Sequence, residues 1–360
     1  MNAPAMPLAA PAGDRAASGL LGLAERGLLP DFLVRLGIRR LCRRRLREEG
    51  SGTPDERLQR FARMVEALGQ SPVAMHPEAA NAQHYELPAA FFELCLGPRL
   101  KYSSCYYPVG NETLGEAEEA MFSLYEARAE LSDGQDVIDL GCGWGSFTLW
   151  MAERYPRSRI TAVSNSRSQG AYIHSRCVKR GLCNVRIVTG DVNSLALSAE
   201  RFDRCVSVEM FEHVRNYQVL LARIACWLRP EGKLFVHLFA HQTLMYPFET
   251  AGEDNWLGRH FFTGGLMPAT ETLLWFQRDL ILEERWTLSG KHYERTANAW
   301  LARQDRHRDR ILQLLEQTYG PGLAALWFQR WRMFWMACAE LFGYEEGRQW
   351  LVAHYRFVRP

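Results

Sequence analysis

The sequence predicts an α/β fold: a mostly parallel, doubly wound sheet, with a helical cap before it and a helical insertion late in the chain. Three observations carry that prediction. The run from Val137 to Phe147, VIDLGCGWGSF, reads as a buried strand, a tight turn and a helix. From there short β-branched runs alternate with amphipathic stretches to residue 239, the spacing of strand–helix units around a parallel sheet. Residues 20–130, by contrast, carry helical periodicity.

The bulk properties fit an ordinary soluble globular protein. The 360 residues are 47% hydrophobic and 23% charged, enough to bury a large core. A net charge of +2 gives no footprint for nucleic acid. The nine cysteines form no C-x-x-C pair or metal spacing and suggest reduced thiols, hence a cytoplasmic protein. No basic segment leads into an apolar run at the start, and no stretch of 18 apolar residues occurs, so neither secretion nor a membrane span is expected.

Taken in order, residues 1–19 read as a disordered leader rich in Ala, Pro and Gly. Residues 20–49 read as helix, restarted at Pro30-Asp31 and crowded with arginines from Arg35 to Arg47. That basic face suits either solvent or an anionic membrane surface, which would make the protein peripheral. A linker at 50–54 leads to a helix at 55–69; further helices end at Gly97-Pro98 and run from about Leu114 to Leu131. Past the glycine turn, strands are expected at 160–163, 185–188, 204–208 and 234–239, with helices at 166–179 and 217–228 between them. Residues 240–275 lack periodicity and read as a cover over the sheet's carboxyl edge. A strand at 280–286, helices at 294–319 and 324–342, and a final strand at 350–357 pairing antiparallel with it complete the chain. The implied division is leader 1–19, helical cap 20–130, core 131–240, and insertion with closing strands 241–360.

The turn has the spacing D-x-G-x-G-x-G, with Asp139 ahead of Gly141, Gly143 and Gly145. Glycines at alternate positions let the backbone approach a ligand and take φ > 0, at the sheet edge where open α/β folds bind ligands. The spacing resembles motif I of Rossmann-like, class I S-adenosylmethionine (SAM) methyltransferases. On that reading Asn165, ending the second strand, accepts from the ribose, with Gln169 one turn on; Asn165 or Ser166 equally suits a helix N-cap. Asp191 suits the adenine amino group and Val192 its ring; a plain turn residue is the other reading of Asp191.

The second informative stretch is Ser207–His213, SVEMFEH, after the fourth strand. In a helix, Glu209, Glu212 and His213 fall at i, i+3 and i+4 on one face, where the methyl group of SAM should point. An amine acceptor must lose its proton before it can attack; Glu212 or His213 could take it, while Glu209 holds the cation or orients the imidazole. The other reading is a helix start with acids for its dipole. His237 and His241 stand four apart but lack a third ligand, so no metal is expected; His237 reads as a polar group at the pocket floor. Trp256, Phe261, Phe262, Trp327 and Trp331 suit an aromatic ring or a cation, although the i, i+4 spacing of the last two fits helix packing equally.

Together with Gln83–Pro88 (QHYELP), Lys101–Ser103 (KYS), Phe261–Gly265 (FFTGG), Trp286–Tyr293 (WTLSGKHY) and Glu340–Tyr344 (ELFGY), these motifs make the chain from about residue 20 onward resemble the cyclopropane-fatty-acid synthase superfamily. Within it, the chain is most similar to the coclaurine N-methyltransferase-like branch. The resemblance implies SAM contacts at Tyr102, Ser103, Gly141, Asn165, Gln169, Asp191 and Val192, with Val208 beside the cofactor; Asp139 and Gly143 belong to the same turn. It implies an acceptor site including His237, Phe261 and Tyr293, and acceptor binding and proton removal by the Glu209–His213 motif. In the lipid-modifying branch a bicarbonate base sits among ligands matching Ser104, Glu212, His237, Phe239 and Tyr293. Ser104 stands where that pattern has cysteine, and Glu209 where it commonly has glycine; both departures favour a small-amine acceptor over an unsaturated phospholipid. Cys338 matches a cysteine once labelled catalytic, but lies in an apolar run that suits packing. The oligomeric state stays open, a homodimer included.

Overall fold

The computed structural model describes residues 16–75, 87–252 and 255–360. Most of the expected leader and residues 83–86 of the QHYELP motif lie outside them. A seven-stranded sheet forms the centre. Its strands are β1 (Asp136–Leu140), β2 (Arg159–Ser164), β3 (Val185–Thr189), β4 (Phe202–Val208), β5 (Leu228–His241), β8 (Ile281–Leu288) and β9 (Trp350–Val358), in the order β3-β2-β1-β4-β5-β9-β8. The first five run parallel; β9 inserts antiparallel between β5 and β8. Every residue of β1 is buried, as a central strand covered on both faces requires.

Four boundaries differ from expectation. β5 begins at Leu228 and runs to His241, because β9 pairs with it from Lys233 to His241 and carries the ladder past Phe239. The helix expected over 294–319 is two, Lys291–Arg306 and Arg308–Tyr319, broken at His307. Residues 240–275 hold a small hairpin of β6 (Tyr246–Pro247) with β7 (Leu266–Met267) and a short helix, Trp256–His260. The Glu209–His213 motif is a left-handed residue followed by a 3₁₀ turn, Phe211–His213, so the α-helical face is not formed.

The helix Leu114–Ala129 lies ahead of β1, opened by a capping box at Thr113 and Glu116. Its buried Glu118 accepts the Arg99 and Lys101 backbone N–H groups at 2.9 and 3.2 Å, pinning the loop that carries Lys101–Ser104. The Arg-rich helix Asp31–Glu49 rests on Ala324–Phe342. Its Arg35 and Arg39 both bond Glu340, and Asp31 pairs with Arg332 at 2.7 Å. Among the described residues no helix is long and apolar enough to cross a membrane.

Candidate active site

One cavity opens at the carboxyl ends of β1, β2 and β4, and the glycine turn shapes its floor. Gly141 has φ of +84°, and a Cβ there would lie 2.6 Å from Met210 Cγ, so only glycine fits. All ten residues expected around the cofactor line this cavity: Tyr102, Ser103, Asp139, Gly141, Gly143, Asn165, Gln169, Asp191, Val192 and Val208. Not all offer free functional groups. The Asp139 carboxylate accepts the Thr148 hydroxyl at 2.5 Å, and burial raises its pKa to about 6, so it braces the turn from below. Asp191 accepts the Asn193 N–H at 2.8 Å and so closes its own turn, as well as facing the cavity.

Three buried groups along the cavity have no hydrogen-bond partner among the described residues: Gln169 Nε2, Trp144 Nε1 and Ser146 Oγ. Gln169 is held by its other end, where Oε1 accepts the Ser164 hydroxyl at 2.7 Å. Buried donors left open are costly, so they mark a site built for a ligand rich in acceptors, as a carboxylate, ribose and purine are. Trp144 and Ser146 went unremarked in the sequence because each is an ordinary turn or N-terminal helix residue there. Lys101 also lines the cavity, fully buried, donating to Ser103 Oγ and to the Ser104 carbonyl.

Of the residues expected to do chemistry, Glu209 and His213 line the cavity. Glu209 sits at φ +47°, a conformation costly for a non-glycine residue, locked by its N–H donating to the His237 carbonyl at 2.8 Å. Its carboxylate collects three donors: Ser104 N–H at 2.9 Å, His237 Nε2 at 3.1 Å and the Tyr293 hydroxyl at 2.7 Å. The His213 ring centre lies 4.6 Å from that of Phe262, the planes tilted by 40°, and burial lowers its pKa to about 4, so the ring is neutral at pH 7.

Glu212 points away from the cavity. It is fully buried, with Oε1 accepting the Phe239 N–H at 2.7 Å and Oε2 lacking a partner among the described residues. Burial, and then the neighbouring Glu209 charge, push its carboxyl well up. Burial raises the Glu209 carboxyl too, opposed by the Lys101 charge and by the Ser104 and Tyr293 donors. Glu212, with fewer donors and Glu209 beside it, is pushed further, so of the two acids Glu212 keeps a proton and Glu209 the charge. His237 and Tyr293 stand one hydrogen bond behind Glu209. Phe261 is turned into the core, stacked on Phe334 at 4.5 Å, and Phe262 takes the place beside His213. Trp327 stacks on Tyr319 and Trp331 packs at zero exposure, so both serve the core. Trp256 is buried as well, donating to Glu25 at 2.8 Å. Burial raises the Cys338 thiol well above the usual range, which suits packing and removes a thiolate nucleophile. His241 Nδ1 accepts the Thr243 and Leu244 N–H groups, a strand-end cap. Among the described residues no cluster of three metal-ligating side chains occurs.

Comparison with known proteins places this geometry. The profile of the mycolic acid cyclopropane synthetase family matches residues 74–349. An (S)-coclaurine N-methyltransferase of Thalictrum flavum subsp. glaucum is 37% identical over 344 residues, 94% of this chain and 95% of that protein. The cyclopropane-fatty-acyl-phospholipid synthase of Escherichia coli is 31% identical over 223 residues, 61% of this chain and 55% of that protein. A solved structure of coclaurine N-methyltransferase bound to N-methylheliamine and SAH matches with a TM-score of 0.90 at 37% identity, covering 94% of this chain and 98% of that one. Sheet order, cavity and relatives agree: the chain belongs to the mycolic acid cyclopropane synthetase family and is a SAM-dependent methyltransferase.

Proposed function

We propose that this enzyme methylates the nitrogen of a small amine, aromatic or cyclic. One observation carries the reading: the Glu209 carboxylate, fixed by three donors, faces the cofactor cavity beside neutral His213 and the Phe262 ring. SAM bound in that cavity supplies an electrophilic methyl group on a positively charged sulfur. Gln169, Trp144 and Ser146 offer the open donors to hold it, and Asn165 and Asp191 the acceptors.

An amine is protonated near neutral pH and attacks only once that proton has gone. Glu209 draws the ammonium in; the same desolvation that keeps His213 neutral also disfavours the ammonium charge. His213 takes the proton, and the nearby Glu209 charge favours the imidazolium so formed. Glu212, behind the motif, holds the Phe239 backbone and keeps the 3₁₀ turn in place. The N-methyltransferases among the relatives support an amine acceptor.

Methylene or methyl transfer to an unsaturated phospholipid is the second reading, favoured by the E. coli relative. Glu209 weighs against it. Ser104, His237 and Tyr293, three of the five positions matched to a bicarbonate site, all donate to the Glu209 carboxylate instead. A protein carboxylate thus fills the role of the anion. The deciding experiment offers methyl-labelled SAM with a small-amine panel or with unsaturated phospholipid vesicles, with and without bicarbonate. Label in an amine, indifferent to bicarbonate, is expected; bicarbonate-dependent label in lipid would overturn the proposal.

A further inference from the structure

Behind Glu209 a single file of side chains leads away from the cavity. Glu209 Oε1 meets His237 Nε2 at 3.1 Å, and His237 Nδ1 meets His354 Nε2 at 2.9 Å. His354 Nδ1 then meets an Arg128 guanidinium nitrogen at 2.6 Å. The two imidazoles are cross-strand partners on β5 and β9, and both are fully buried. Tyr125, one turn before Arg128 on the same helix, places its hydroxyl 2.9 Å from His237 Nδ1. Arg128 is half-buried at the far end, its guanidinium 4.9 Å over the Trp286 ring.

The order of protons along this file follows from valence. A guanidinium only donates, so His354 Nδ1 must accept and its proton must sit on Nε2. That proton points at His237 Nδ1, which must therefore be bare with its one lone pair taken; the Tyr125 hydroxyl beside it is free to rotate and does not fix the tautomer. A neutral His237 then carries its proton on Nε2, aimed at Glu209. Both rings are neutral, since burial, Arg128 and the nearby Lys101 charge all disfavour imidazolium. Every hydrogen in the file points toward the cavity. Such a file cannot carry a proton outward from Glu209 unless both rings turn over, so it is not an exit for the substrate's proton.

We propose that His354 and Arg128 are positioning residues: they fix the His237 tautomer so that it always donates to Glu209 and keeps that carboxylate an ionised acceptor for the cationic acceptor. With the opposite tautomer, a lone pair of His237 would face the carboxylate at 3.1 Å, and Glu209 would have to turn or take up a proton. The effect on turnover rests on the amine-methylation reading; the tautomer itself does not.

The test uses full-length protein labelled with ¹⁵N-histidine, together with amine kinetics. In the wild type the His237 imidazole should show a single tautomer, protonated on Nε2. His354→Phe removes the donor at similar bulk, and His237 should then mix tautomers. Its kcat should fall tenfold or more, while calorimetric SAM affinity stays within twofold. His354→Gln, which can donate to His237 and accept from Arg128, should restore most of kcat. Arg128→Met, at the half-exposed end, decides the matter again should His354→Phe not fold: both rings should then exchange tautomers. An unchanged His237 tautomer in His354→Phe or Arg128→Met overturns the proposal, as does a Gln variant no better than Phe. If wild-type protein methylates no amine, the functional reading fails, and the imidazole spectra still decide the relay.

Discussion

At Glu209 a strained backbone, three donors and one negative charge meet, and each makes a separate demand on the residue. Glu209→Gln keeps the shape but loses the charge that draws in an ammonium; its amide must also oppose at least one of the three donors. The expected loss is about 10²–10³-fold in kcat/KM for amines, with SAM affinity unchanged by calorimetry. Glu209→Gly relieves the positive φ and opens a carboxylate-sized space facing Ser104, His237 and Tyr293. Formate or bicarbonate should then restore part of the activity, and failure of every small carboxylate to do so would count against the anion-like role. His213 sets the pH response. Because its pKa is lowered to about 4, the ring is already unprotonated across the neutral range; with the ammonium as the form that Glu209 draws in, the alkaline limb of the kcat/KM profile belongs to the substrate. Two amines whose pKa values differ by about one should shift that limb by about one pH unit; a limb that ignores the amine would reassign it to the protein. The gathering of residues was legible in the sequence at this scale, since the glycine turn, Glu209 and His213 follow strand ends that line one cavity. The choice between Phe261 and Phe262 was not, because adjacent residues leave an irregular loop in directions that only packing decides. Nor was the left-handed Glu209, since no local pattern marks a residue whose strain is held by a distant carbonyl, here that of His237.

The elements around the site are held by buried polar anchors, and Glu118 is the plainest. It reaches from its helix to the backbone of the loop bearing Lys101, Tyr102 and Ser103, and burial raises its pKa from 4.5 to about 7. A carboxyl with a raised folded-state pKa binds more protons folded than unfolded, so its contribution falls as pH rises from 4.5 to about 7. At about 1.4 kcal/mol per pH unit, roughly 3 kcal/mol is lost across that window. Glu118→Gln cannot titrate, so its stability relative to wild type should improve by that order between pH 5 and pH 7.5. Urea unfolding at the two pH values measures the difference; parallel behaviour of both proteins would show that Glu118 stays ionised. Such anchors explain where element reading from sequence succeeds and stops. Alternating strands and helices announce themselves by period, and most were placed within a few residues. The break at His307 follows from tertiary bonding instead: its Nδ1 lies 3.0 Å from the Leu94 carbonyl and 2.9 Å from that of Arg303. The extra length of β5 likewise comes from its partner β9, more than a hundred residues away in the chain.

Across the whole molecule, the Arg-rich helix joins the beginning of the chain to its end. Its arginines divide between two faces. Arg35 turns inward onto Glu340 and also reaches Asn298 at 2.8 Å, and the largely exposed Arg39 bonds Glu340 from the rim. Arg40, Arg43 and Arg47 are exposed, as are Phe32 and Leu36 toward the helix start. The crowding that obscured an apolar stripe in the sequence is thus a docking face and a solvent face read together. Glu340 is nearly buried at 8% side-chain exposure, and its charge is shared by two guanidinium groups. Glu340→Gln removes that charge at constant shape, and the Arg35 and Arg39 bonds weaken with it. A cost of about 1–2 kcal/mol is expected, confined largely to the seam because the sheet core does not share these contacts. The seam can be read separately from global unfolding, since the exposed arginines are trypsin sites shielded only by the helix itself. Brief digestion should cut the variant several-fold faster between residues 40 and 60, with SAM affinity unchanged because no residue of this helix lines the cavity. Equal cutting rates would mean that the apolar contacts of Val34 and Cys42, both buried against the core, hold the helix without help from the ion pairs.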